Sequence, residues 1–134
     1  MRVVLDTNVI IAAFASHGLC HLLFESVLSH HEVISSDSLL LEVETSLAKK
    51  IRLPKTTTGE IVRFLRRKGI HVIDFTYKGL ICRDTDDIKI LSVAITGKAD
   101  WIVTGDQDLL ILKHCREIPI VKPRDFWDIL RGNS

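Results

Sequence analysis

The sequence predicts an α/β fold built on a parallel sheet covered on both faces. Three observations predict it. Short β-branched runs alternate with helical patterns from one end of the chain to the other. The 134 residues are 46% hydrophobic and 26% charged, enough apolar material for a core and too little charge for a disordered chain. No internal repeat, low-complexity tract or linker divides the chain, so residues 1–134 read as one domain.

The elements follow in order. "RVVL" is a first strand. "NVIIAAFA" and "LCHLLFESVLS" are helices broken by Ser16-His17-Gly18. "HEVIS" is a second strand. "SDSLLLEVETSLAKK" is a helix capped by Ser36 or Asp37, with Leu40, Val43 and Leu47 on one face. Pro54 and the run Thr56 to Gly59 mark a boundary before a short amphipathic helix, "EIVRFLRRK". There Ile61, Phe64 and Leu65 line the apolar face, and Gly69 ends the helix. "IHVID" is a third strand, and the stretch from Lys78 to Arg83 stays open. "DDIKILSVAITGKA" is a helix with Ile88, Leu91 and Ile95 on one side. "DWIVT" is a fourth strand, "DQDLLIL" a short helix and "IPIV" a fifth strand. Pro123 opens a closing helix, "PRDFWDIL", at the position where proline is tolerated.

Composition narrows the function. A net charge of +1 does not fit a protein that coats nucleic acid nonspecifically. Any nucleic-acid contact then needs a local basic patch or a bound cation. The few apolar residues after Arg2 are too short for a signal-peptide core, and no apolar stretch is long enough for a membrane span. Cys20, Cys82 and Cys115 are odd in number and far apart, which reads as reduced thiols in a cytoplasmic protein. Cys20 with His17 and His21 lacks a fourth ligand and reads as part of a helix face.

In parallel sheets, chemistry collects beyond the carboxyl ends of the strands. Asp6 follows the first strand directly, and Asp106 follows the fourth after Thr104-Gly105. Asp84, Asp86 and Asp87 open the helix before that strand, and Glu42 borders the apolar face of the helix after the second. Each has a plain structural use. Asp6, Asp84 and Asp106 suit N-caps, and Asp87 and Asp108 suit first helical turns. Together they conflict. Neighbouring strands lie about 4.8 Å apart. Two carboxylates 4 Å apart repel by about 4 kcal/mol at an effective dielectric near 20. A divalent cation resolves that conflict, and an all-oxygen ligand set favours Mg²⁺ or Mn²⁺ over Zn²⁺.

Four blocks carry a resemblance: "VVLDTNVIIAAF", "SSDSLLLEVETSL", "RDTDDIKILSVAITGKADWIVTGDQDLL" and "IPIVKPRDFWDIL". In this order, over nearly the whole chain, they resemble the PIN-domain family, and within it the small prokaryotic toxins of toxin–antitoxin pairs related to VapC. The resemblance implies a three-layer α/β/α fold with a five-stranded parallel sheet in the order 3-2-1-4-5. It implies an Mg²⁺- or Mn²⁺-dependent endoribonuclease leaving 5′-phosphate and 3′-hydroxyl ends. It also implies a homodimer and an antitoxin partner laid in a groove beside the site. Asp6, Glu42, Asp87 and Asp106 match the family's acids, with Glu44 as the competing choice for the second. On this reading Asp6, Asp87 and Asp106 hold the metal. Glu42 positions the attacking water, helps hold a second ion, or both. Asn8 and Thr104 match small polar positions beside the metal, and Asp84 and Asp108 match further recurrent acids.

RNA must still reach an acid-lined pocket. Lys49, Lys50, Arg52 and Lys55 form one basic run, and Arg63, Arg66, Arg67 and Lys68 another. Each serves equally as a solvated helix face or as a track for phosphates. Ile11, Phe14, Leu19, Leu23, Phe24 and Leu28 cannot all point inward from two helices, so part of this set is available for an interface. Two rivals stand beside the nuclease. One is a non-enzymatic module that uses the acids only as caps. The other is a phosphatase of the haloacid-dehalogenase type, which needs an Asp-x-Asp pair where this chain has Asp6 and Asn8.

Overall fold

A computed structural model describes residues 1–80, 82 and 84–132. Among these residues six strands form one sheet: β1 (Arg2–Leu5), β2 (Glu32–Ser36), β3 (Ile70–Val72), β4 (Trp101–Val103), β5 (His114–Cys115) and β6 (Ile118–Val121). Their order is β3-β2-β1-β4-β6-β5. The first five in that order are parallel, and β5 pairs antiparallel with β6 through Cys115 and Ile118. The expected 3-2-1-4-5 order holds for the parallel strands, with "IPIV" as the fifth. The addition is β5, a two-residue edge formed as the chain turns through Arg116 (φ 55).

Among the described residues seven α-helices cover the sheet: α1 (Thr7–Ala15), α2 (Leu19–His30), α3 (Asp37–Ser46), α4 (Lys55–Lys68), α5 (Thr85–Thr96), α6 (Gln107–Leu110) and α7 (Pro123–Leu130). Strand side chains alternate between the two faces. Val3, Leu5, Val33 and Val103 join a core beneath α1 to α4 and α7, with Leu23, Val43 and Phe126. Val4, Ile34, Ile102 and Ile120 face the other way and join Leu91, Ala94 and Leu109 of α5 and α6. The central strands are apolar on both faces because both faces are covered.

Three expectations need correction. The Thr56 to Gly59 run is not a boundary, because α4 begins at Lys55 and contains it. Thr58 is buried and its hydroxyl donates to the Lys55 carbonyl at 3.0 Å, so packing overrides a poor local helix propensity. The helix after β2 does not run evenly to Lys50. It passes into a π-helical turn, Leu47–Ile51, and stops at Arg52, which is left-handed (φ 60) and two residues before Pro54. On α5 the buried set is Asp87, Ile90, Leu91, Ser92, Val93 and Ala94, while Ile88 and Ile95 are half-buried. The predicted Leu40, Val43 and Leu47 face of α3 is buried throughout. Of the open stretch, Lys78 and Gly79 form a turn, and Ile81 and Arg83 lie outside the described residues.

Gly69 and Gly97 let the helices reach the sheet. A Cβ at Gly69 would lie 2.0 Å from the Val33 carbonyl oxygen, and one at Gly97 would lie 2.6 Å from the Ile34 side chain. Among the described residues no single helix is long and apolar enough to cross a membrane. Helices α1 and α2 together have the length and composition, but they are bent by 111° and bury Val9, Leu23 and Val27 in the core.

Candidate active site

Helix entry chemistry and site chemistry coincide at the carboxyl edge of β1 and β4. Asp6 leaves β1 with its backbone N–H on the Val103 carbonyl at 2.9 Å, which ties it to β4. Its Oδ1 accepts from the Thr7 N–H at 2.8 Å and so caps α1. Its Oδ2 accepts from the Thr104 hydroxyl at 2.6 Å. Thr104 is fully buried and its oxygen also accepts from the Asp106 N–H at 3.0 Å. One hydroxyl therefore fixes Asp6 and the backbone of Asp106 relative to each other. Asp106 in turn caps α6 by accepting from the Asp108 N–H at 2.9 Å.

The remaining acids arrive from two helices. Asp87 lies in the first turn of α5 and is buried. Asp84 caps that helix through the Asp86 N–H at 2.9 Å and stays exposed. Glu42 is half-buried on α3. Of the two glutamates considered for this helix, Glu42 is the one whose charge acts on Asp6. Carboxylate oxygens of Asp87, Asp106 and Asp108 all lie within 4.8 Å of one another. The sequence left Asp108 between a helix residue and a site acid, and the fold brings it to the cluster. Asn8 is exposed in the first turn of α1, where its Oδ1 accepts from the Gly105 N–H at 3.4 Å.

The electrostatics are those of carboxylates forced together. Burial pushes the Asp6 carboxyl up, the Thr104 and Thr7 hydrogen bonds pull part of that back, and the charges of Glu42 and Asp106 push it up again. Asp87 is pushed up to about 7, first by burial, then by its hydrogen bond and charge contact with Asp106, then by Asp84 and Asp6. Cys82 adds a weak donor, its Sγ lying 3.7 Å from Asp87 Oδ2. At neutral pH such a group shares a proton or meets a cation. The clustered oxygens suit a hard divalent ion, so the residues present fit Mg²⁺ or Mn²⁺.

The other predicted residues lie apart from this cluster. Lys49 and Lys50 are exposed on the π-helical turn and Arg52 terminates it. Arg63 and Arg67 are exposed on α4. Arg66 is engaged, donating to Asp37 Oδ1 at 2.8 Å. His71 Nε2 lies 3.0 Å from the same oxygen, a network that sequence spacing gave no sign of. His21 is held by the Ala13 carbonyl and Glu25, in keeping with a structural reading of the His17-Cys20-His21 stretch. Between α1, α2 and α4 runs an apolar groove of about 610 Å³, lined by Phe14, His17, Phe24, Leu28, Ile61 and Phe64.

Comparison with known proteins gives the chain a family and a shared fold. The family model of the PIN domain matches residues 2–108. An uncharacterized protein of Methanocaldococcus jannaschii, MJ1680, is 32% identical over 121 residues, spanning 84% of this chain and 76% of that protein. VapBC2 from Rickettsia felis, solved bound to a DNA fragment from its promoter, contains a chain of similar fold. The TM-score is 0.63 at 18% identity, over 91% of this chain and 98% of that one.

Proposed function

The chain belongs to the PIN-domain family, and from that premise we propose that it is a metal-dependent endoribonuclease acting in the cytoplasm as the toxin of a type II toxin–antitoxin pair. One observation carries the chemistry. Asp6, Asp87 and Asp106 come from separate parts of the chain to one sheet edge, where burial first, and then contact with Asp106 and the neighbouring carboxylates, pushes Asp87 up to about 7. A fold that retains this cost has a use for the negative field.

In this reading Asp87 and Asp106, with Asp6 and Asp108 beside them, hold Mg²⁺ or Mn²⁺. When bound, the ion acidifies a water and neutralises charge growing on the phosphate. Glu42 faces Asp6 from α3 and orients the attacking water by accepting its hydrogen bond. Thr104 is a positioning residue, holding Asp6 in one rotamer and Asp106 at one backbone height. The phosphodiester is hydrolysed in line, leaving 5′-phosphate and 3′-hydroxyl ends. Purified protein with Mn²⁺ should cut single-stranded RNA, and Asp6→Asn or Asp106→Asn should abolish cleavage while circular dichroism stays unchanged. Cleavage that persists in EDTA, or in both variants, would overturn the reading.

Two features support the partner side of the proposal. The likeness to a chain of VapBC2 is one. The other is the apolar groove between α1, α2 and α4, where Phe14 and Phe64 are more than a third exposed. An antitoxin segment with apolar anchors suits it. The protein encoded beside this one should bind with nanomolar affinity, and Phe14→Glu with Phe64→Glu should weaken that binding while sparing cleavage. The homodimer is the second partner we propose, and sedimentation at micromolar concentration tests it.

A further inference from the structure

We propose that the pocket between α3, α5 and the chain after β3 reads one base of the RNA, and that guanine fits it best. This rests on the nuclease reading above and names what that nuclease prefers. The pocket measures about 390 Å³ and is lined by Ser38, Asp74, Phe75, Ile88, Lys89 and Ser92. Its two walls are the helices that carry site acids. Ser38 is one turn before Glu42 on α3, and Ile88 is the neighbour of Asp87 on α5. A base held there belongs to a nucleotide close to the bond being cut.

Three features point to a ligand. Ser92 is 3% exposed, and its hydroxyl has no hydrogen-bond partner although it lines the pocket. Buried hydroxyls are normally paired, because leaving one unpaired forfeits its hydration for nothing. Phe75 is 59% exposed, with its ring set edge-on against Tyr77 at a centroid distance of 4.7 Å. Tyr77 is itself anchored to the Thr96 hydroxyl at 3.1 Å, so an aromatic surface is held at the pocket mouth for a base to stack on. Asp74 is fixed by Ser38, whose N–H and hydroxyl donate to its two oxygens at 2.9 and 2.6 Å. Ser36 adds a further contact to the same carboxylate, which still has acceptor capacity for another donor.

That arrangement selects a base edge. A carboxylate with acceptor capacity to spare takes an N–H donor, and guanine presents two adjacent ones at N1 and N2. Guanine also offers O6 and N7 as acceptors to a lysine. Lys89 is suited to this, since its contact with Asp86 is an exposed pair at 3.6 Å and easily exchanged.

The test uses single-stranded oligoribonucleotides that differ at one base, cut by the whole protein with Mn²⁺. Wild type should cut the guanine-containing strand about tenfold faster than its adenine counterpart. Lys89→Ala and Ser92→Ala should together bring that ratio below about threefold. Neither change should lower the melting temperature, since one residue is exposed and the other loses only an unpaired hydroxyl. Absence of any guanine preference in wild type, or its survival in the double variant, would overturn the proposal. Fluorescence anisotropy of the same strands on the Asp106→Asn protein separates the two readings. Guanine-selective binding without wild-type cleavage would sink the nuclease and keep the pocket. Cleavage without base preference would do the reverse.

Discussion

Two groups of acidic residues in this molecule face opposite electrostatic fates. Asp37 opens α3 in full view of solvent and is met by Arg66 and His71. The Arg66 hydrogen bond, helped by both positive charges, holds its carboxyl below the usual value. Asp6 and Asp87 are buried a few residues from the same sheet edge, and there carboxylate meets carboxylate. Their pKa values are raised, Asp87 to about 7. The first arrangement ties α3, α4 and β3 together. The second works against the fold until something positive arrives, which is the mark of a binding site more than of a structural one.

Exchanging a charge at the buried site should have the largest effect. Asp87→Asn should abolish Mn²⁺-dependent cleavage and yet raise the melting temperature of the metal-free protein at pH 8, since it removes a repelled charge. A loss of metal-free stability would mean that Asp87 is a structural residue after all. Thr104→Val should come next. It unties Asp6 from Asp106 and should lower activity by roughly 10–100-fold, with rescue by Thr104→Ser.

Metal should also reverse the stability cost. At an Mn²⁺ concentration about a hundred times its Kd, the gain is about 2.7 kcal/mol. Calorimetry should find that gain in wild type and lose it in Asp106→Asn. If the acids were only helix caps, neither protein would respond.

The pH dependence separates the two acidic groups by sign. Folded Asp87 holds its proton up to about 7, against 3.8 for the ordinary carboxyl. Through that window the native state binds more protons than the unfolded one, so metal-free stability falls as pH rises. Asp6 acts in the same direction. Asp37 acts oppositely, giving stability above 3.8 that is lost as pH falls through its depressed value. Melting curves without metal should therefore show higher stability at pH 5 than at pH 8, and Mn²⁺ should flatten the difference. The smallest effect belongs to Asp37→Asn. It should slightly lower the melting point at pH 7, because the pair is exposed and screened, and by less as pH falls below 3.8.

What could be read from the residues alone was set by how local each signal is. Asp6 and Asp106 were legible because an acid after a buried apolar run marks both a strand end and a cap. The five parallel strands were legible for the same reason. Asp108 was not, because its approach to Asp87 depends on where a four-residue helix begins. The start of α4 was misplaced because four weak helix formers in a row look like a loop until Thr58 and Val62 find a core. The pairing of Arg66 with Asp37 joins residues 29 positions apart, beyond the reach of any local pattern. Ser92 sits among apolar helix positions, where sequence says only that it is inside, not that its hydroxyl has no partner.

The strand order has one last consequence. Because β1 and β4 are neighbours, Asp6 and Asp106 stand together although 100 residues of chain separate them. A growing polypeptide therefore makes Asp6, Glu42 and Asp87 before the residue that completes the cluster. Only when β4 slots in beside β1 does the negative pocket exist. A chain that has not yet brought β4 beside β1 has no such cluster of acids to offer a cation.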